Sequence, residues 1–220
     1  RAEITAYAQL ANKLGTPYVR ILADEKPMPE SEIDDEYIAA QLRSLMPIAE
    51  ENNVTLLIET NGVYSDTKRL AKLLDNVKSR KVAALWDMHH PYRFGGESPE
   101  TTVANLGEYI KFIQVKDSIL REDGSVEYRI LGEGDIPIRQ MIDALDTINY
   151  NGYISLEWVK RWAPELSDAG IVIPRFASYM EQYRTKHKHP LQTSIRGDGQ
   201  YPWPKERIIN RSEEHTSELQ

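Results

Sequence analysis

The sequence has no cysteine, no long apolar run and no excess of positive charge. Without cysteine, its 220 residues cannot form disulfides, thiolate zinc sites or a cysteine nucleophile, so we expect a protein of a reducing, cytoplasmic compartment. No apolar run approaches the roughly 18 residues that a membrane-spanning helix needs. The formal charge of −7, from 34 acidic and 27 basic residues, argues against binding to nucleic acid or to an anionic membrane.

Both ends of the chain depart from the pattern between them. Arg1 precedes a helical apolar pattern over 2–14, which predicts a start inside a domain. Residues 186–210 are rich in Pro, Gly, Ser and Thr and predict a linker, although the aromatic part of it resembles the opening of adenylate-forming ligases and leaves a further module open. The last ten residues, 211–220, match the translation of a common sequencing adapter, and we expect them not to be native.

Residues 1 to about 185 alternate short apolar runs with amphipathic segments. The runs predict strands at 18–22, 54–59, 81–87, 109–116 and 152–158. The segments predict helices at 2–14, 36–52, 67–77, from the N-cap Ser98 onward, at 136–148 and at 174–184. Such alternation predicts a parallel sheet built from right-handed βαβ units, either a doubly wound sheet or a (β/α)8 barrel.

Polar residues at strand ends favour the barrel. Four of them lie at or near the carboxyl end of a predicted strand: Glu59, Asp87, Gln114 and Glu157. In a barrel these ends converge on one axis, so four side chains from four strands can meet, whereas an open sheet spreads them apart. We therefore predict an α/β fold, a partial (β/α)8 TIM barrel over 1–185, with about five of its eight βα units present and the first strands missing.

Five segments then occur in the order and on the strands that one family uses. They are IETN at 58–61, WDMHH at 86–90, VKD at 115–117, GEGD at 132–135 and SLEW at 155–158. Together they resemble the signature segments of sugar phosphate isomerases and epimerases with a xylose-isomerase-like TIM barrel, over residues 1 to about 185. The resemblance implies one divalent metal ion, held by a Glu, an Asp, a His and a second Glu from successive strands.

Carried over, this pattern assigns four metal ligands. Glu59, Asp87 and Glu157 match it, and Gln114 stands where relatives usually have His. Three carboxylates with an amide oxygen suit Mn, Mg or Co, and carboxylates that face one another need a cation. The alternatives are that each carboxylate caps a helix or pairs with an arginine, and that Gln114 marks a weakened or lost metal site.

Three further residues are predicted to bind substrate. His90 lies three residues after Asp87, where relatives place a His that contacts substrate oxygen, while its neighbour His89 is expected to point elsewhere. Arg93, in the loop expected there, could bind a phosphate or carboxylate, or could form a surface salt bridge. Lys116 could stabilise an enediolate with Asp117 orienting it, or both could be structural.

These residues support a leading function and two alternatives. The first is divalent-metal-dependent isomerisation or epimerisation of a sugar or keto-sugar through an enediolate, with Glu59 and Glu157 as the catalytic acid–base pair. Gln114 favours a dehydratase of the 3-dehydroshikimate type, because relatives acting on that compound use Gln at this position. The third is a non-catalytic barrel module fused to a downstream adenylate-forming ligase. The expected partner is a small sugar or polyol-like substrate rather than nucleic acid or membrane, and a homo-oligomer is left open.

Overall fold

The computed structural model describes residues 1–184 and 192–193. Apart from 192–193, the predicted linker at 186–210 lies outside the described residues, as does the segment 211–220. The strands are β1 Tyr18–Ile21, β2 Thr55–Glu59, β3 Val82–Asp87, β4 Ile110–Val115, β5 Asp117–Leu120, β6 Val126–Arg129, β7 Tyr153–Leu156 and β8 Gln192–Thr193. The α-helices are α1 Ala2–Leu14, α2 Asp35–Glu51, α3 Thr67–Val77, α4 His89–Arg93, α5 Pro99–Leu106, α6 Ile138–Asp146 and α7 Ala169–Arg184, and the 3₁₀ turns are Gly62–Ser65 and Gly107–Tyr109.

The main sheet is a parallel half-barrel. Its strand order is β1-β2-β3-β4-β7-β8, and every neighbouring pair is parallel. Each of the five longer strands lies within the range predicted for it, and helices occupy the connections between them. The prediction of an α/β partial TIM barrel is confirmed, and the short strand β8 adds to it at the β7 edge.

Alternate residues along each strand face opposite sides of the sheet. One set packs with the helices in the large apolar core, and examples are Leu56, Ile58, Ala84, Trp86, Ile113 and Ile154. The other set forms a smaller cluster in which Leu57, Ala83 and Leu85 are buried and Phe112 packs against them. The polar residues at the carboxyl ends of β2, β3 and β4 continue this second set, so they lie on the face opposite the helices.

Local sequence determines most helix ends. Gly15 ends α1 with φ of 69°, a conformation that glycine adopts without strain. The Ser98 hydroxyl accepts the Thr101 N–H at the start of α5, which confirms the predicted cap. The last helix begins at Ala169 rather than at the predicted 174, with Pro174 inside it. Pro174 therefore does not mark the start of this helix. Burial of the helix's apolar residues outweighs the loss of one backbone hydrogen bond at the proline.

The segment between β4 and α6 forms an antiparallel hairpin of β5 and β6. The chain that leads from β6 back to the barrel is held by the Asp117 carboxylate. This carboxylate accepts the N–H groups of Gly132 at 2.9 Å and Gly134 at 3.0 Å. The same carboxylate accepts the Ser118 N–H at 2.8 Å. Asp117 therefore orients the chain that leads from the hairpin back to the barrel and not Lys116, which agrees with the structural alternative for Asp117.

Gly134→Ala should destabilise the protein by about 1–3 kcal/mol, as overpacking typically does. A Cβ at this position would collide with the Asp117 carboxylate and lie 2.5 Å from the Ser118 carbonyl oxygen. The urea midpoint of unfolding measures the loss. Gly170→Ala is the matched control, since a Cβ there meets nothing within 4 Å. Equal midpoints for the two variants would show that Asp117 does not hold the return tightly.

Among the described residues, no helix combines the length and the apolar character needed to cross a bilayer.

Candidate metal centre

The carboxyl ends of the parallel strands bring five charged side chains together. Glu59 ends β2 and Asp87 ends β3, while Lys116 and Glu157 directly follow β4 and β7. Arg20 joins them from β1, which pairs with β2 in parallel register. Glu59, Asp87 and Lys116 are almost fully buried, so the group is a desolvated charge cluster at the mouth of the half-barrel.

Two of these carboxylates and the neighbouring His90 offer ligand atoms to one point. One ligand atom each of Glu59, Asp87 and His90 lies within 4.8 Å of the others, and all three residues are buried. The His90 Nε2 atom is 3.7 Å from Asp87 Oδ2, and its Nδ1 atom is 4.0 Å from Glu59 Oε1. His90 is carried by α4, a short helix where the sequence predicted a loop. It was predicted as a substrate contact, and it lies among the candidate ligand atoms.

Two cations pair with the carboxylates. Lys116 Nζ lies 2.5 Å from Asp87 Oδ2 and also donates to Glu157 Oε2. Arg20 Nε donates to Glu59 Oε2, and Arg20 Nη2 is 3.6 Å from Glu157 Oε1. When all three carboxylates are ionised, they exceed the two cations by one negative charge. An excess of negative charge in a buried cluster favours the uptake of a cation.

Burial and charge set the protonation of the cluster. Burial raises the pKa of Glu157 to about 7, with the Asp87 carboxylate adding to the effect. Burial also raises the pKa of Glu59, against the opposing hydrogen bond from Arg20. Although burial opposes it, the pKa of Asp87 is held well below its usual range by His90, which is positive at the low pH where Asp87 would titrate, and by the Lys116 ammonium. Burial lowers the pKa of His90 to about 4, so its imidazole is neutral and able to ligate.

Gln114 lies beside this cluster with an unused acceptor. It pairs in register with Asp87 of β3 and with Ser155 of β7. Its Oε1 atom is buried and has no hydrogen-bond partner within the part of the chain that the structure describes, and the same holds for Nδ1 of His90. A buried acceptor left unpaired costs about 1–3 kcal/mol, so each of these atoms has reason to take a ligand. The oxygen and nitrogen donors present thus fit a hard or borderline divalent ion.

The side chains of Arg93 and His89 contact the hairpin rather than the clustered carboxylates, while the His89 backbone N–H donates to Asp87 Oδ1 at 2.9 Å. His89 Nε2 is 2.8 Å from Ser118 Oγ, which agrees with the expectation that His89 points elsewhere. Arg93 donates to Ser118 Oγ at 3.2 Å and to the Ser118 carbonyl at 3.0 Å, and it forms an ion pair with Asp135. These contacts connect α4 to β5. They occupy the Arg93 guanidinium, which the sequence analysis predicted to bind substrate.

Sequence reasoning missed Arg20. The residue is the one charged side chain in the run YVRI of β1, and it occupies the same face as Tyr18. A charge within a short strand of a parallel sheet that is otherwise apolar was the available indication. The sequence analysis considered polar residues at strand ends, and Arg20 lies one residue before the end of β1.

Known proteins with a similar sequence pattern or fold are xylose isomerase-like TIM barrels and related enzymes. A family model described as a xylose isomerase-like TIM barrel matches residues 1–175. No curated protein sequence matches the chain. The solved IOLI protein with a bound zinc atom superposes with a TM-score of 0.68 at 18% identity, over 85% of this chain and 70% of that one.

Two enzyme structures superpose to a similar degree. D-psicose 3-epimerase with D-tagatose, from Clostridium cellulolyticum H10, gives a TM-score of 0.66 at 17% identity, over 84% of this chain and 69% of that one. The probable 3-DHS dehydratase AsbF from Bacillus anthracis gives a TM-score of 0.66 at 18% identity, over 82% and 69%. The chain spans 62% of the length of a further match, a xylose isomerase domain protein from Planctomyces limnophilus. At these identities the likeness concerns the fold.

Proposed function

The chain belongs to the xylose isomerase-like TIM barrel family, and from this premise we propose that it is a divalent-metal-dependent isomerase or epimerase of a sugar or keto-sugar. The observation that carries the proposal is the buried set of Glu59, Asp87 and His90, whose ligand atoms converge within 4.8 Å at the carboxyl ends of the strands. Active sites of TIM barrels lie at this end. The epimerases among the similar structures are in keeping with a sugar substrate.

The metal would be held by Glu59, Asp87 and Glu157, with His90 or Gln114 completing the set. When bound, a divalent ion supplies Lewis-acid polarisation of neighbouring carbonyl and hydroxyl oxygens. Mn, Mg and Co suit carboxylate-rich donors, and the zinc-bound structure with the same fold adds Zn to the ions to be tried.

Proton transfer is assigned to Glu59 and Glu157. A carboxylate whose pKa is raised by burial to about 7, as for Glu157, takes up and returns a proton readily near neutral pH. Lys116 holds Glu157 in place and presents its ammonium to the same space, where it would stabilise negative charge on a substrate oxygen. His90 would contact a substrate oxygen if Gln114 completes the metal set. Arg93, which is held by Ser118 and Asp135, would act through the position of α4.

Glu157→Gln should slow the exchange of substrate carbon-bound hydrogen with solvent by about 100-fold, because the amide cannot accept the proton. The assay follows deuterium incorporation from D₂O into D-psicose, D-tagatose and further ketoses by NMR, with Mn²⁺ supplied. Glu100→Gln, at an exposed position of α5, is the matched control. Undiminished exchange in Glu157→Gln would remove Glu157 from the proton-transfer pair. No exchange with any ketose would speak against an isomerase and leave the dehydratase or the non-catalytic module.

A dehydratase is the second candidate, and Gln114 is the observation that favours it. The acceptor of Gln114 is buried and unpaired beside Asp87, and the similar structures include a probable 3-DHS dehydratase. Both reactions begin with removal of a proton next to a carbonyl, and the dehydratase then expels hydroxide. Assaying 3-dehydroshikimate beside the ketoses, with the ultraviolet absorbance of the dehydrated product as readout, separates the two.

A further inference from the structure

Arg20 contacts the same oxygens that the proposed metal needs. Its Nε atom donates to Glu59 Oε2, and its Nη2 atom lies 3.6 Å from Glu157 Oε1. One guanidinium therefore spans the two carboxylates assigned to proton transfer. A planar guanidinium can pair with two carboxylates in this way, whereas an ammonium acts as a point charge.

Arg20 and Lys116, the two cations of the cluster, differ in how easily they can leave it. The Lys116 side chain is only 4% exposed, so withdrawing it would strand a charge in the barrel. The Arg20 side chain is 40% exposed. It also lines an open cavity of about 320 Å³, together with Tyr18 of its own strand and Leu14 and Tyr7 of α1. β1 is an edge strand of the described sheet, and the strands predicted to precede it would pack on this side of Arg20. Among the described residues, Arg20 is the less buried of the two cations.

We propose that Arg20 is a displaceable counter-ion that competes with the divalent cation for Glu59 and Glu157 and thereby sets the metal affinity of the centre. With Arg20 in place, the cluster holds three carboxylates against two cations, and a dication must displace the guanidinium from Glu59. Without Arg20, one cation remains for the three carboxylates, and each of them that is ionised has less positive charge beside it. This inference rests on the proposed function, because it needs those carboxylates to be metal ligands.

The competition predicts an effect opposite to that of a purely structural residue. Arg20→Gln should bind Mn²⁺ about tenfold more tightly than wild type, because it removes a cation from hydrogen-bonding distance of a ligand. Arg20→Lys keeps the charge but cannot span both carboxylates, so its affinity should lie between the two. If Arg20 only supported Glu59 sterically, its loss would loosen the site and weaken Mn²⁺ binding.

The experiment titrates Mn²⁺ into the full 220-residue chain by calorimetry, for wild type, Arg20→Gln and Arg20→Lys. Thermal melts with and without Mn²⁺ accompany it. Arg20→Gln should melt below wild type in chelator, and Mn²⁺ should raise its melting temperature by more than it raises that of wild type. Arg139→Gln, an exposed position of α6, removes an equal charge and should leave the affinity within about twofold, because distant surface charges are screened.

The possible outcomes separate this inference from the proposed function. Equal or weaker Mn²⁺ binding by folded Arg20→Gln, with wild type binding normally, overturns the role of Arg20 alone. Absence of binding in every protein overturns the metal-dependent function and this inference with it. Binding by Arg20→Gln where wild type does not bind supports the competition most strongly. If Arg20→Gln does not fold, Arg20→Lys decides, and an affinity equal to that of wild type counts against the proposal.

Discussion

Asp87→Asn is expected to leave the centre without metal and to lower turnover by about 10³-fold or more, since a bound ion supplies several kcal/mol of transition-state stabilisation. Asp87 is completely buried and ends the central strand β3 of the cluster. Its Oδ2 atom lies 2.5 Å from Lys116 Nζ and 3.7 Å from the His90 imidazole. Asparagine keeps the shape of the side chain, but its neutral amide binds a divalent ion weakly and offers NH₂ to Lys116 in one orientation.

Two measurements test this expectation together. Elemental analysis of the purified chain should give near one divalent ion for wild type and less than about a tenth for Asp87→Asn, and the rate with the best ketose from the exchange assay should fall in parallel. Asp143→Asn, exposed on α6, is the control for loss of one carboxylate and should keep both values. A variant that retains its metal but loses turnover would place Asp87 outside the ligand set and make it a group that binds substrate.

The sequence was sufficient to predict the sheet because each strand is a short apolar run bounded by turn or helix residues. Parallel strands place their carboxyl ends together, so Glu59, Asp87, Gln114 and Glu157 could be assigned to one end of a barrel before any coordinates. The structure brings all four to that end. Their roles as ligands and as catalytic groups stay predictions for the experiments above.

What sequence reasoning could not supply is the pairing of charges inside the cluster. The alternation of a strand tells which face a residue occupies, but it does not tell which of several carboxylates a cation selects. The sequence left open whether Asp117 orients Lys116 or is structural, and Asp117 accepts backbone N–H groups where the hairpin returns to the barrel. The side chain of Lys116 instead pairs with Asp87 and Glu157, at the ends of the two strands that flank β4. Such contacts depend on three-dimensional distances that a single sequence does not contain.

Lys116→Met is expected to lower the free energy of unfolding by about 3–5 kcal/mol, the typical cost of removing one partner from a buried ion pair. Methionine fills a similar volume, so the loss comes from charge rather than from a cavity. Asp87 and Glu157 would then face each other in a site from which water is largely excluded, since Lys116 is 4% exposed and Asp87 is 0% exposed. Urea denaturation in chelator measures the loss. Lys111→Met, exposed on β4, is the matched control and should change stability by less than about 0.5 kcal/mol.

Adding Mn²⁺ to Lys116→Met distinguishes two explanations of that loss. If the carboxylates are metal ligands, the dication replaces the missing ammonium and restores part of the stability by an amount that grows with its concentration over the dissociation constant. If they form only a structural ion pair, Mn²⁺ restores no more than it does in Lys111→Met. The same side chains can serve both purposes because a buried carboxylate requires a positive partner but not a particular one. In the chain described here Arg20 and Lys116 fill that requirement, and the metal-dependent function requires that at least one of these pairings be exchangeable.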